Sequence, residues 1–140
     1  MRARAIVVCD DVRYEVGNKL SLIGCYNDGI AFVSANGPLV MPKLVIVYCI
    51  SGLRGISELR IRHAIQAGED APRLESIPAE VGSRDPTYDE QNLVFQLSPA
   101  VFPTEGIVSC ALEIEGGEQR LAVEHRFSVR RTQTKTAGTS

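Results

Sequence analysis

Hydrophobic and polar residues alternate along much of this chain with a period of two, the spacing of a strand that buries one face. The clearest run is residues 57–66. There Leu59, Ile61, His63 and Ile65 take one phase, and Glu58, Arg60, Arg62 and Gln66 take the other. Residues 91–98 resume the pattern through Leu93, Phe95 and Leu97. Residues 106–115 and 118–129 make a hairpin about Gly116-Gly117, with Leu121, Val123, His125, Phe127 and Val129 on one face of its second strand. Toward the N-terminus, residues 3–9 form a β-branched run. Residues 12–15 and 19–26 flank Val16-Gly17-Asn18, where a Gly-Asn pair supplies the positive φ of a tight turn. Residues 30–34 follow the turn signal Asn27-Asp28-Gly29. Residues 43–50 are almost unbroken apolar, which predicts a strand central in its sheet or covered on both faces.

Between these runs, residues 68–91 lack periodicity and carry Pro72, Pro78 and Pro86 among several charges. They are either a long loop or a pair of irregular edge strands. No stretch of ten residues keeps a helical period; residues 83–91 are the nearest to a single helical turn. About eight short strands separated by turn signals predict an all-β fold, a single antiparallel β-sandwich, with a partly closed barrel as the competing architecture. The absence of tryptophan argues against an immunoglobulin domain. Residues 1–131 are expected to form this one domain, and the small polar residues of 132–140 a flexible C-terminal tail.

Composition narrows the functional classes. A chain of 140 residues with 44% hydrophobic and 23% charged residues has enough apolar surface for a core without covalent staples. A net charge of −2 gives no electrostatic reason to expect nucleic acid or an anionic membrane as partner. The apolar run after Arg2 and Arg4 ends at Asp10 and Asp11, short of the roughly 7–15 residues of a signal core. No run reaches the roughly 20 residues of a spanning helix. The expected location is the cytoplasm. Cys9, Cys25, Cys49 and Cys110 all lie in apolar strand-like runs without a CxxC, so they read as buried thiols acting as small hydrophobes.

The stretch Val8-Cys9-Asp10-Asp11-Val12-Arg13, followed by Gly17-Asn18-Lys19-Leu20-Ser21-Leu22-Ile23-Gly24-Cys25-Tyr26-Asn27-Asp28-Gly29-Ile30, resembles a family of short bacterial proteins of unassigned function. Its pattern is close to C-D-x-x-R, a lysine-led apolar strand, then I-G-x-Y-x-D-x-I. Met41-Pro42-Lys43-Leu44 also fits, and the late hairpin ending in Phe127-Ser128-Val129 fits loosely. The resemblance implies a bacterial β-sandwich and brings no catalytic residue with it. Read physically, the motif residues Asp10, Arg13, Lys19, Gly24, Tyr26 and Asp28 are architectural. Gly24 inside a strand marks a bulge or a close backbone approach. Tyr26 can pack its ring while its hydroxyl caps a polar group, and Asp28 before Gly29 forms an Asx-turn.

Candidate chemistry is sparse. His63 and His125 each occupy the apolar phase of a strand, and if those strands are neighbours the two imidazoles can meet and hold a metal or supply a base. A metal needs at least one more ligand, and Cys110 or Cys9 are the soft candidates; the preferred reading is that each histidine lies near a sheet end with one ring nitrogen bonded to backbone. Acidic residues at expected loops (Asp10, Asp11, Asp28, Asp85, Asp89, Glu90) invite comparison with calcium-binding sandwiches, but no D-x-[DN]-x-[DN]-G pattern is present. The arginines of the polar phases alternate with glutamates, which predicts a solvated cross-strand ladder. G-x-S-x-G, P-loop, G-x-G-x-x-G and H-E-x-x-H motifs are all missing. With no cofactor or catalytic group indicated, the expected function is a non-enzymatic binding or assembly module of bacterial or phage type. Its contacts would be with a protein partner or with itself, through edge strands and the 68–91 segment. The alternative is a small-ligand or metal-dependent protein centred on His63 and His125.

Overall fold

The computed structural model describes residues 1–17, 19–33, 36–75, 79–81 and 84–132. Among them are twelve strands and no helix: β1 (Arg2–Glu15), β2 (Lys19–Tyr26), β3 (Gly29–Val33), β4 (Leu39–Met41), β5 (Leu44–Ser51), β6 (Leu59–Ala67), β7 (Leu74–Glu75), β8 (Ala79–Val81), β9 (Gln91–Leu97), β10 (Ala100–Phe102), β11 (Gly106–Gly116) and β12 (Gln119–Thr132). They form a four-stranded sheet in the order β2-β1-β5-β9, a β10-β4 ribbon, and a larger sheet in the order β3-β12-β11-β6-β7, with β8 also on β6. Among the described residues no sheet closes into a barrel, and the arrangement is sandwich-like.

The main core lies between the two large sheets. Ile46, Tyr48 and Ile50 of β5 meet Ile61 of β6, Leu112 and Ile114 of β11, and Phe127 and Val129 of β12. The unbroken apolar run of β5 is explained by its position. It sits between β1 and β9, with its even-numbered residues in the main core and Val45 and Val47 in a second cluster with Cys9 on the sheet's other face. On β6 and β12 the expected alternation holds, and the outward arginines form the expected ladder. Arg62 and Arg120 both approach Glu113, Arg120 reaches Glu115 at 3.6 Å, and Arg126 reaches Glu124 at 2.8 Å.

Several details depart from the sequence expectation. Residues 3–9 and 12–15 are one continuous strand, so Asp10 and Asp11 stand in β1 and not in a loop. The 68–91 segment, by contrast, takes one of its two expected forms, contributing the short strands β7 and β8, both on the edge of β6. The β4–β10 ribbon was unforeseen because each strand has only three residues, too few to show a period. β3 pairs parallel to β12, whereas the expectation was antiparallel throughout. Nearly the whole domain connects these two strands, so no tight turn dictates their direction. Of the four cysteines, Cys9 and Cys110 are buried, Cys49 is half-buried and Cys25 is exposed, so the buried reading fails for Cys25 on its edge strand. The expected tail begins at Thr132, which still belongs to β12 and donates its hydroxyl to Phe32 O at 3.0 Å. Residues 133–140, Asn18 and Ser34 lie outside the described residues.

Candidate functional site

The motif of the first third of the chain builds a bend. Asp10 and Gly24 stand opposite each other on β1 and β2, between the register pairs Cys9↔Cys25 and Asp11↔Ile23. Gly24 adopts φ +67°, and a Cβ there would lie 2.3 Å from Asp10 Oδ2. Only glycine accepts both that backbone and that carboxylate. The Tyr26 hydroxyl donates to Asp10 Oδ1, and burial together with this bond pushes the Tyr26 phenol up to about 12. Next along the strand, the Lys43 ammonium and the Val12 N–H hold the Asp11 carboxyl below its usual range. Of the other motif residues, Arg13 is exposed, Lys19 opens β2, and Asp28 accepts the Ser128 hydroxyl at its backbone carbonyl. At the bend the alternation slips by one residue, from Cys9 to Val12 on β1. Val12, Leu20 and Leu22 then pack with Cys9, Val45, Val47 and Val94 over the outer face of the four-stranded sheet.

The folded-back hairpin makes one wall of an open cleft of about 760 Å³. Tyr14, Glu15, Lys19 and Leu20 line that wall; residues 91–95 of β9, with Ile61 behind them, line the other. Residues 84, 85 and 88–90 close one end. This end is held by Arg84, which is only 9% exposed and donates to Leu53 O and Tyr88 O, both at 2.8 Å, and to Ile56 O at 2.5 Å. Backbone bonds Leu53 N→Asp89 O, Gly55 N→Pro86 O and Arg84 N→Ser57 O fasten the same turn to the β5–β6 connection. Asp85 Oδ1 accepts from both the Thr87 N–H and hydroxyl, which holds its carboxyl below the usual range. The Arg84 Nε has no hydrogen-bond partner among the described residues.

Five consecutive residues of β9 reach the cleft, so both faces and the free edge of that strand contribute. β9 pairs with β5 on one side and with no other strand among the described residues. Its outer N–H and C=O groups are therefore available to an added strand. Exposed Tyr14, on the hairpin wall, and Tyr88, at the closed end, both line the cleft.

Neither histidine faces a shared site. β11 separates β6 from β12, with His63 opposite Leu112 and His125 opposite Cys110. Two strand spacings and a two-residue offset put the histidine Cα atoms about 12 Å apart. His63 is buried in the core, stacked on Phe95 at 3.9 Å and 2.9 Å from the Tyr48 hydroxyl through Nε2. Burial lowers its pKa to about 4. Burial also pushes the Cys110 thiol up to about 12, away from the thiolate a metal would need. His125 is half-buried beside Phe127. Among the described residues no three His, Cys, Asp or Glu side chains are grouped to hold a metal ion. Sequence reasoning missed Tyr48 and Arg84. Tyr48 was detectable as the one hydroxyl on the even-numbered phase of the β5 run; Arg84 gave no signal at all.

The fold and cleft define an all-β, sandwich-like domain with an open strand edge in a walled groove. Residues 4–130 match the model of a family of unknown function, DUF6941, and the chain belongs to that family, in keeping with the expected membership of a family without an assigned function. No curated protein matches the chain. No helix among the described residues is long and apolar enough to cross a membrane.

Proposed function

We propose that this protein is a binding module that takes an extended segment of a partner protein by strand addition to β9. The observation that carries the reading is the β9 edge, unpaired among the described residues, running along a cleft of peptide size, walled by the β1–β2 hairpin and closed by a pinned turn. Strand addition uses main-chain hydrogen bonds for affinity and the flanking walls for choice of side chain. The cleft bears Glu15, Asp85 and Asp89, with Glu90 paired to Arg4, against Lys19 and Arg84, and the Arg84 guanidinium is already engaged by three carbonyls. Charge balance therefore favours a segment carrying lysine or arginine, with Tyr14 and Tyr88 available to cover the cation. A second copy of this chain offering an edge strand is the simplest such partner and would double the mass in light scattering. A bacterial or phage setting in the cytoplasm belongs to the same proposal; the four free thiols support a reducing compartment.

Selection of random dodecapeptides against the full chain tests this reading. Enriched peptides should alternate apolar residues with lysine or arginine and should slow amide exchange on β9. Peptides that protect another edge, or no enrichment at all, would count against it.

A further inference from the structure

We infer that Cys9 and Cys25 form an oxidant-sensitive modification site that closes into a cross-strand disulfide. The two residues are direct register partners on antiparallel β1 and β2, so their side chains leave the ribbon on the same face. Opposed Cα atoms in an antiparallel pair lie about 4.5 or 5.5 Å apart, depending on the hydrogen-bonding position. Both separations fall inside the roughly 4.4–6.8 Å that a disulfide spans. The other thiols are badly placed for Cys9. Cys49 stands opposite Ala5, four residues along β5 from Val45, the partner of Cys9, which is about 14 Å of strand. Cys110 belongs to the other sheet.

Exposure divides the roles. Cys25 is exposed on an edge strand, while Cys9 is fully buried with its thiol directed to Asp11 O at 3.5 Å. Cys25 is the thiol a hydroperoxide can reach. Its sulfur, after losing a proton to water, attacks the terminal peroxide oxygen. The O–O bond breaks, the leaving alkoxide takes a proton and departs as an alcohol (water when the oxidant is hydrogen peroxide), and Cys25 becomes a sulfenic acid. The Cys9 sulfur then gives up its proton and attacks the Cys25 sulfur. The S–O bond breaks, and hydroxide leaves as water with that proton. The two thiols lose two electrons in all, and the peroxide gains them. Burial raises the Cys9 thiol pKa, so Cys9 reacts only with the sulfenic acid delivered beside it. The bond would staple the hairpin at the bend that carries the cleft wall, a consequence separate from the identity of whatever the cleft binds.

The test is to treat the full chain with hydrogen peroxide, alkylate the remaining thiols and map the peptides. The expected product keeps two of its four thiols, contains Cys9 and Cys25 in one intramolecular bridge, melts at a higher temperature, and reverts with dithiothreitol. Cys25→Ser should keep its Cys9 thiol under the same treatment. Recovery of Cys25 as a sulfinic acid, or bridged to a second molecule, with Cys9 still reduced would overturn the inference. So would loss of the Cys9 thiol in Cys25→Ser. Should that variant not fold, the wild-type map alone decides between bridge and no bridge.

Discussion

The Tyr48 hydroxyl lies 2.9 Å from His63 Nε2, and the two rings meet edge to face with centroids 5.5 Å apart. Tyr48 comes from β5 of the four-stranded sheet and His63 from β6 of the larger one, so this polar contact spans the sandwich core. Phe95 of β9 stacks on the His63 face at 3.9 Å and meets the Tyr48 edge at 5.7 Å. The half-buried Phe95 also lines the cleft. The floor of the proposed binding groove is thus the lid of a buried imidazole.

That burial makes folding stability pH-dependent in a defined window. His63 has a folded pKa of about 4 against an ordinary 6.5, so between these values the unfolded chain binds a proton that the folded chain refuses. Stability is complete above pH 6.5 and falls as the pH drops toward 4, by up to about 3 kcal/mol. Urea unfolding at a series of pH values, compared with His63→Phe, isolates the effect from carboxylates titrating nearby. Equal slopes for the two proteins through this window would rule the linkage out.

Removing the lid should move the same group. In Phe95→Ala the imidazole gains access to water from the cleft, and the His63 pKa should climb toward 6.5 by at least about one unit. The truncation should also cost about 3 kcal/mol. NMR titration of the ring protons reads the first effect and chemical unfolding the second. A titration unmoved by the truncation would mean that residues other than Phe95 keep water away.

The sequence exposed some of this and hid the rest for physical reasons. Strands long enough to show a period were recognisable, and the double burial of β5 followed from its missing polar phase. Three-residue strands such as β4 and β10 carry no period, and the parallel pairing of β3 with β12 depends on contacts some hundred residues apart. Asp10 and Asp11 imitated a loop because two adjacent carboxylates break the alternation. They do so at a bend, where Tyr26 and Lys43 satisfy them. The two histidines looked like a pair because each held the apolar phase of its strand, but phase says nothing about which strand lies between. The cleft was hidden: 68–91 stood out only as an irregular segment, of which residues 84, 85 and 88–91 line it, while its pinning by Arg84 and the hairpin wall opposite require the tertiary fold.

Arg84 is expected to hold the closed end of the cleft. Its guanidinium gives hydrogen bonds to the Leu53, Ile56 and Tyr88 carbonyls, and a methionine of similar length leaves those acceptors without their donor. Arg84→Met should lose about 3 kcal/mol of stability. Hydrogen exchange of the Leu53 and Gly55 amides, which bond Asp89 O and Pro86 O, should speed by more than that of β5 and β11 amides. Lysine should not rescue it, since one ammonium cannot reproduce the fork. A uniform change in exchange across the domain would place the role of Arg84 in global stability alone.

Gly24 faces two separate demands, and a pair of substitutions can divide them. Its φ of +67° costs any residue with a Cβ about 1 kcal/mol, independent of its neighbours. Its Cβ would also lie 2.3 Å from Asp10 Oδ2 and 2.9 Å from Asp10 Cγ, a contact that only displacement of the carboxylate relieves. Displacing it breaks the bond from the Tyr26 hydroxyl, so Gly24→Ala should cost about 2–3 kcal/mol in all. In an Asp10→Ala background the collision is gone, and the same glycine substitution should cost only the backbone share, about 1 kcal/mol. The double-mutant cycle should therefore show coupling of about 1–2 kcal/mol between two residues on adjacent strands. Additive effects would mean that Asp10 yields freely, and that the bend needs glycine for its dihedral angle alone.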